Sequence, residues 1–263
     1  MPTKVSSTEV MDLSIDVKTL IGKFVWHDHI SNDPEQARKF YSDLLGWQTE
    51  VWKPGEMDYP MIKSGGQIHG GFGPAQGGAP PHWLGHAVAE DVDETVSRAE
   101  AAGAKLLFGP SDLPDVGRFA VIADPQGAAL SLYSPAGDQP PSEGVFVWDE
   151  LHTTDIEAAK SFYGEILGWT ARDESMGEMT YTMFKRAGDI DAAGGMTMRP
   201  GMEAPPHWLP YIATDDVDAS AERAEGLGAT IHVQPTDIPD IGRFAVIQDP
   251  AGAAVGLWQS SSS

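Results

Sequence analysis

Side chains able to do acid-base or metal chemistry are few in this chain: it has 8 histidines and no cysteine, so neither a thiolate nucleophile nor a thiolate ligand exists. Asp28, His69 and His86 together offer one carboxylate and two imidazoles. That is the composition of a facial triad, which leaves positions open on a divalent ion for substrate or oxygen. The same residues also read without a metal, with His86 hydrogen-bonding in a pocket, Asp28 as a polar wall residue and His69 in solvent. His27 and His29 flank Asp28, but alternation along a strand puts both on the opposite face. Only a bulge would bring all three together.

These residues sit in text that the chain writes twice. The stretch Pro80 to Tyr133 returns without a gap as Pro205 to Trp258, the two agreeing at more than half of their positions, and Gly22 to Trp47 returns as Gly144 to Trp169. A repeat of domain size means two similar domains rather than a solenoid. At the places matched to Asp28, His69 and His86 the second copy has Glu150, Ala193 and Tyr211. It cannot form the same set. Glu150 and Tyr211 suit a general base and a hydroxyl donor, or the polar anchors of an apolar pocket. His82 and His207, each after Pro-Pro, read as rigid corners bonded to backbone or as a pocket rim. Arg118 and Arg243 read as partners of a loop carboxylate such as Asp115 or Asp240, or of a substrate anion. No phosphate loop, dinucleotide fingerprint or Ser-His-Asp order is present, and the glycines of 65–73 read as turns and bulges.

The elements that must carry these side chains follow from periodicity. Gly22 to Trp26 alternates as a strand. Asn32 or Asp33 before Pro34 starts a helix with Ala37, Phe40, Tyr41, Leu44 and Leu45 on one face, and Gly46 ends it. Two or three strands follow up to Phe72, then a loop over 73–81, a strand His82 to Ala89, a helix Asp91 to Ala102, and strands around Lys105 to Phe108, Arg118 to Ala123 and Ala128 to Tyr133. Each half-domain is therefore strand, helix and about three strands, used four times. The expected division is an arm over 1–21, a first domain over 22–134, a linker over 135–143, a second domain over 144–258 and a disordered tail over 259–263.

Composition narrows the partners. A formal net charge of -22 repels nucleic acid and anionic membranes, and no apolar run is long enough to span a bilayer. The expectation is a cytoplasmic protein, monomer or homodimer, with a small-molecule ligand.

The Phe-Tyr and Leu-Gly-Trp of the first helix (Phe40, Tyr41, Leu45, Gly46, Trp47; Phe162, Tyr163, Leu167, Gly168, Trp169) carry a resemblance, as do the Asp-Val-Asp helix start (Asp91, Val92, Asp93; Asp216, Val217, Asp218) and the Asp-Pro-x-Gly turn (Asp124, Pro125, Gly127; Asp249, Pro250, Gly252). By these the chain resembles the vicinal oxygen chelate superfamily, which includes glyoxalase I, extradiol dioxygenases and bleomycin resistance proteins. The resemblance implies an α+β fold of two tandem domains, each a pair of βαβββ units forming a cup-shaped mixed sheet with helices outside. It also implies a divalent metal bound inside the cup, yet the matching ligand positions hold Trp26, Leu84 and Ser131, and in the second domain Trp148, Leu209 and Gly256. Asp28 and His86 each stand two residues beyond such a position, with His69 on the neighbouring strand. Two functions stay open. One is a metal-dependent glyoxalase-type lyase or dioxygenase working in the first domain, with one divalent metal on Asp28, His69 and His86. The other is a metal-free protein that sequesters or carries a hydrophobic or aromatic molecule. In either, Asp28, His86, Glu150 and Tyr211 are the candidate catalytic groups, and Trp26, Trp148 and Trp258 the candidate pocket wall.

Overall fold

The structure is a computed structural model, and it describes residues 17–53, 58–137, 144–176, 179–198 and 204–261. Most of the expected arm and linker, and the end of the tail, lie outside the described residues. Within the arm, Val17–Leu20 forms one turn of 3-10 helix.

The first repeat runs β1 (Phe24–Ser31), α1 (Pro34–Leu45), β2 (Gln48–Trp52), β3 (Tyr59–Ser64), β4 (Gln67–Pro74), β5 (His82–Val88), α2 (Val92–Ala101), β6 (Lys105–Leu113), β7 (Gly117–Ala123) and β8 (Ala129–Pro135). The second runs β9 (Phe146–Thr153), α3 (Ile156–Leu167), β10 (Thr170–Met176), β11 (Met179–Arg186), β12 (Ile190–Thr197), β13 (His207–Ala213), α4 (Val217–Gly226), β14 (Thr230–Ile238), β15 (Gly242–Gln248) and β16 (Ala254–Ser260). β4 reaches into the expected loop over 73–81, and β16 passes Trp258 by two residues. The helix starts are capped as their sequences require: Asp33 accepts from the Gln36 amide at 2.9 Å, Pro34 opens the helix, and Gly46 closes α1 with a φ of 70°.

Each repeat forms one eight-stranded sheet, ordered β2-β3-β4-β1-β5-β8-β7-β6 and β10-β11-β12-β9-β13-β16-β15-β14. In the first, β1 and β5 pair antiparallel at the centre, and each has a parallel neighbour, β4 and β8. Two βαβββ units thus meet about a local twofold at the pair His27 and Gly85, which makes Trp26 the symmetry mate of Leu84 and Asp28 that of His86. The result is α+β: two tandem cup-shaped mixed sheets with their helices outside.

The helices of the two cups are packed against the opposite domain. One core joins Ala99, Leu130 and Leu132 to Phe162, Tyr163 and Trp208; the other joins Phe40, Tyr41 and Trp83 to Ile212, Ala224 and Leu257. The cups therefore lie back to back, and their helix-free faces point away from each other. Matched hydrogen bonds cross this core. Tyr41 donates to Asp249 and Tyr163 to Asp124, each at 2.9 Å, and Trp83 and Trp208 donate to those tyrosine hydroxyls at 3.1 and 3.0 Å. Burial and the facing carboxylates push both tyrosine hydroxyls well above their usual range, so each stays protonated, donating to its carboxylate while accepting from the indole. His27 reaches Asp149 at 2.8 Å and His29 reaches Asp249 at 2.7 Å. Both histidines are spent on the domain contact, on the face opposite Asp28, as alternation requires.

Candidate functional site

From Trp26 onward β1 turns His27 and His29 toward the opposite domain and keeps Trp26, Asp28 and Ile30, half-buried, on the helix-free face. A bulge at Val25 shifts the register between Phe24 and Trp26, sending Phe24 into the core while Trp26, Asp28 and Ile30 face the cup. On β5 the cup-facing set includes Leu84 and His86, opposite Asp28 and Trp26 respectively. Asp28 and His86 are thus diagonal neighbours across the pair, within reach of long side chains. His86 Nε2 lies 3.1 Å from Asp28 Oδ2.

The other Asp28 oxygen accepts from the Trp26 indole at 3.0 Å and from the Tyr59 hydroxyl, and Trp26 also donates to Tyr59 at 3.0 Å. Burial acts to raise the Asp28 pKa. The hydrogen bond and charge of His86, with Tyr59 and Trp26, outweigh it and hold the carboxyl below its usual range. Asp28 is therefore a carboxylate at neutral pH. Burial and that carboxylate push the Tyr59 hydroxyl well up, so it stays a donor. With Nε2 engaged on Asp28, His86 has Nδ1 left to exchange a proton or accept a ligand hydrogen bond.

Tyr59 can reach Asp28 because Gly71, the neighbour of Asp28 on β4, has no side chain. A Cβ there would stand 2.1 Å from the Tyr59 hydroxyl. The second cup keeps the same device: a Cβ on Gly194 would stand 1.9 Å from the Tyr181 hydroxyl, and Gly194 neighbours Glu150. Trp148 donates to Tyr181 at 2.8 Å. Burial and the Glu150 carboxylate it bonds to raise Tyr181. Glu150 also accepts from Tyr211 at 3.2 Å and from His152 at 2.8 Å. The His152 ring stacks on His207 with centroids 4.9 Å apart.

The structure brings Asp28 and His86 together but not His69. Gly70 pairs with Ile62 and Ile68 with Lys63, so His69 is the extra residue of a bulge. It bonds instead to the Ser64 carbonyl at 3.0 Å, beside Gly144. Among the described residues, no three His, Asp or Glu side chains are arranged to hold a metal ion. Trp26, Leu84 and Ser131 supply one hydroxyl between them, and Trp148, Leu209 and Gly256 supply no oxygen or imidazole. Neither donor set fits a divalent cation. Register also corrects the matching of the repeats: Asp28 with Gly71 corresponds to Glu150 with Gly194, so His69 corresponds to Ala192, and Ala193 lies in the core.

Three site residues escape the sequence reading: Tyr59, Tyr181 and His152. The first two share the pattern Tyr-x-Met-x-Lys, at 59–63 and 181–185, a repeat visible only once β3 and β11 are matched. His152 falls where the first copy has Ile30, so no match points to it. Arg118 and Arg243 do hold carboxylates, but of helix starts and strands: Asp93 with Asp112, and Asp218 with Asp237. Asp115 and Asp240 instead occupy tight turns at φ of 62° and 64°. His82 and His207 bond to the Pro80 and Pro205 carbonyls at 2.8 Å, as corners.

The sequence model described as Glyoxalase/Bleomycin resistance protein/Dioxygenase superfamily matches residues 25–132 and 146–257. Among curated proteins, the chain is 35% identical over 240 residues to the putative glyoxylase CFP32 of Mycobacterium bovis, covering 87% of this chain and 91% of that one. It is 32% identical over 256 residues to the anthracycline biosynthesis protein DnrV of Streptomyces peucetius, covering 90% and 92%. Among solved structures, the Mn(II)-bound glyoxalase from Novosphingobium aromaticivorans superposes with a TM-score of 0.62 at 17% identity, over 90% of this chain and 82% of that one. This last likeness is one of fold.

Proposed function

This chain belongs to the glyoxalase/bleomycin resistance protein/dioxygenase superfamily, and from that premise we propose that it is a cytoplasmic protein binding a small organic molecule in its first cup without a metal. The ligand carries an acidic hydroxyl, phenol or enol, which hydrogen-bonds to His86. The observation that carries this reading is the Asp28 and His86 pair on the helix-free face, with one imidazole nitrogen committed to a carboxylate and one left for a ligand. Asp28 fixes the tautomer and stabilises the imidazolium that forms if the ligand gives up its proton. Trp26 and Tyr59 supply aromatic surface beside it.

The names of the relatives, a putative glyoxylase and an anthracycline biosynthesis protein, support small organic ligands. The donor sets described above favour a metal-independent site over a lyase or dioxygenase centre. Calorimetric titration of the chelator-treated protein with phenol tests this. One binding site per chain, lost in His86→Ala, is expected. Binding that appears only on adding a divalent metal overturns the reading.

A further inference from the structure

A single row of side chains crosses the first cup. Trp26 pairs with His86, His86 with Ser131, Ser131 with Val121, and Val121 with Phe108, strand by strand from β1 to β6. All five face away from the helices, since their neighbours Leu130, Leu132, Ala120 and Ile122 fill the interdomain core. The far end of the row is exposed aromatic surface. Phe108 is 46% exposed and stacks on Phe119 with ring centroids 5.5 Å apart and planes 24° apart. Between the two ends, the Ser131 hydroxyl is buried without a hydrogen-bond partner.

We propose that the first cup is shaped for a planar, multi-ring aromatic hydroxy compound, with His86 taking the hydroxyl, Ser131 the next polar edge atom, and the Phe108 and Phe119 pair stacking on the far ring. This rests on the binding reading above and names the ligand class of the same site. Scale decides between ligand sizes. Three strand spacings separate His86 from Phe108, about 14 Å along the sheet and less across the curled cup. One ring cannot bridge that, whereas three or more fused rings can. An exposed phenylalanine already stacked on another ring presents a flat apolar face with little side-chain freedom left to lose.

The second cup serves as the internal control. Its row is Trp148, Tyr211, Gly256, Val246 and Val233. It has neither the imidazole, the free hydroxyl nor the terminal aromatic ring.

The experiment compares dissociation constants for phenol, 2-naphthol and 1-hydroxyanthraquinone in the full chain and in Phe108→Val, which installs the residue of the second cup. Affinity is expected to rise with ring number, by about tenfold or more from phenol to the three-ring probe. Phe108→Val should collapse that ratio, and Ser131→Ala should lower it in part. A ratio near one in the unaltered protein, or a ratio that Phe108→Val does not change, overturns the ligand class. If phenol binding itself is absent or indifferent to His86→Ala, the failure is that of the binding reading instead.

Discussion

In the first cup Asp28 meets an imidazole from the neighbouring strand, whereas in the second Glu150 meets one from its own strand, two residues on. Yet both carboxylates sit at the same place on the sheet, each beside a tryptophan indole, a tyrosine hydroxyl and a glycine that makes room for it. The frame of Trp, Tyr, carboxylate and Gly has stayed while the groups next to it have changed. In the second cup Tyr211, Tyr181 and His152 all turn onto Glu150. That turns the network inward onto the carboxylate, with His152 Nδ1 left buried and without a hydrogen-bond partner. The first cup instead leads from its imidazole along a row ending in exposed aromatic surface. Duplication thus preserved what builds a cup and released what fills it.

The largest expected effect breaks this comparison at its centre. Removing a hydrogen bond from a charge-assisted site costs roughly 1.5–3 kcal/mol, so His86→Ala should weaken phenol binding by ten- to a hundredfold, while Tyr211→Phe should change it by less than about twofold. Calorimetry on the two variants reads this directly. The reverse order would move the working site to the second cup.

Next come the glycines of the shared frame. Gly71→Ala and Gly194→Ala each drive a Cβ into a tyrosine hydroxyl, and overpacking of this kind costs about 1–3 kcal/mol. Denaturant titration should show both variants destabilised to a similar degree. Only Gly71→Ala should also lose ligand affinity, because only there does the tyrosine serve the binding pair.

How far the sequence reaches can be judged from particular residues. The repeat of Phe-Tyr and Asp-Pro-x-Gly was legible and pointed to the right fold, but its physical role was hidden. Tyr41 and Tyr163 donate to Asp249 and Asp124 across the domain contact, a pairing that linear spacing cannot reveal. Alternation correctly separated Asp28 from His27 and His29, because β1 is regular past its bulge. For His69 the sequence named only a neighbouring strand, and its direction was hidden because β4 carries an extra residue there. His152 was illegible for another reason: the first copy has Ile30 at its place, so matching the repeats gives no sign that it meets Glu150.

The smallest effect concerns the two corners. Burial, against the opposing pull of the proline carbonyls, holds His82 and His207 below the usual imidazole value of 6.5, helped by His29 and His152 respectively. The unfolded chain then binds more protons just below pH 6.5, so stability is fullest above that value and falls as pH drops through the folded pKa. His82→Gln and His207→Gln should each flatten this slope by about a few tenths of a kcal/mol. Thermal unfolding at several pH values between 5 and 7 checks it. Unequal effects would show that the corners, unlike the frame, have diverged.

The claim that the first cup alone binds through its imidazole is tested most directly by imidazole nitrogen NMR of the chelator-treated protein during titration with 2-naphthol. The His86 nitrogens should shift in proportion to saturation, while those of His152 and His207 stay in place. Saturable shifts at His152 with His86 unmoved would contradict the account.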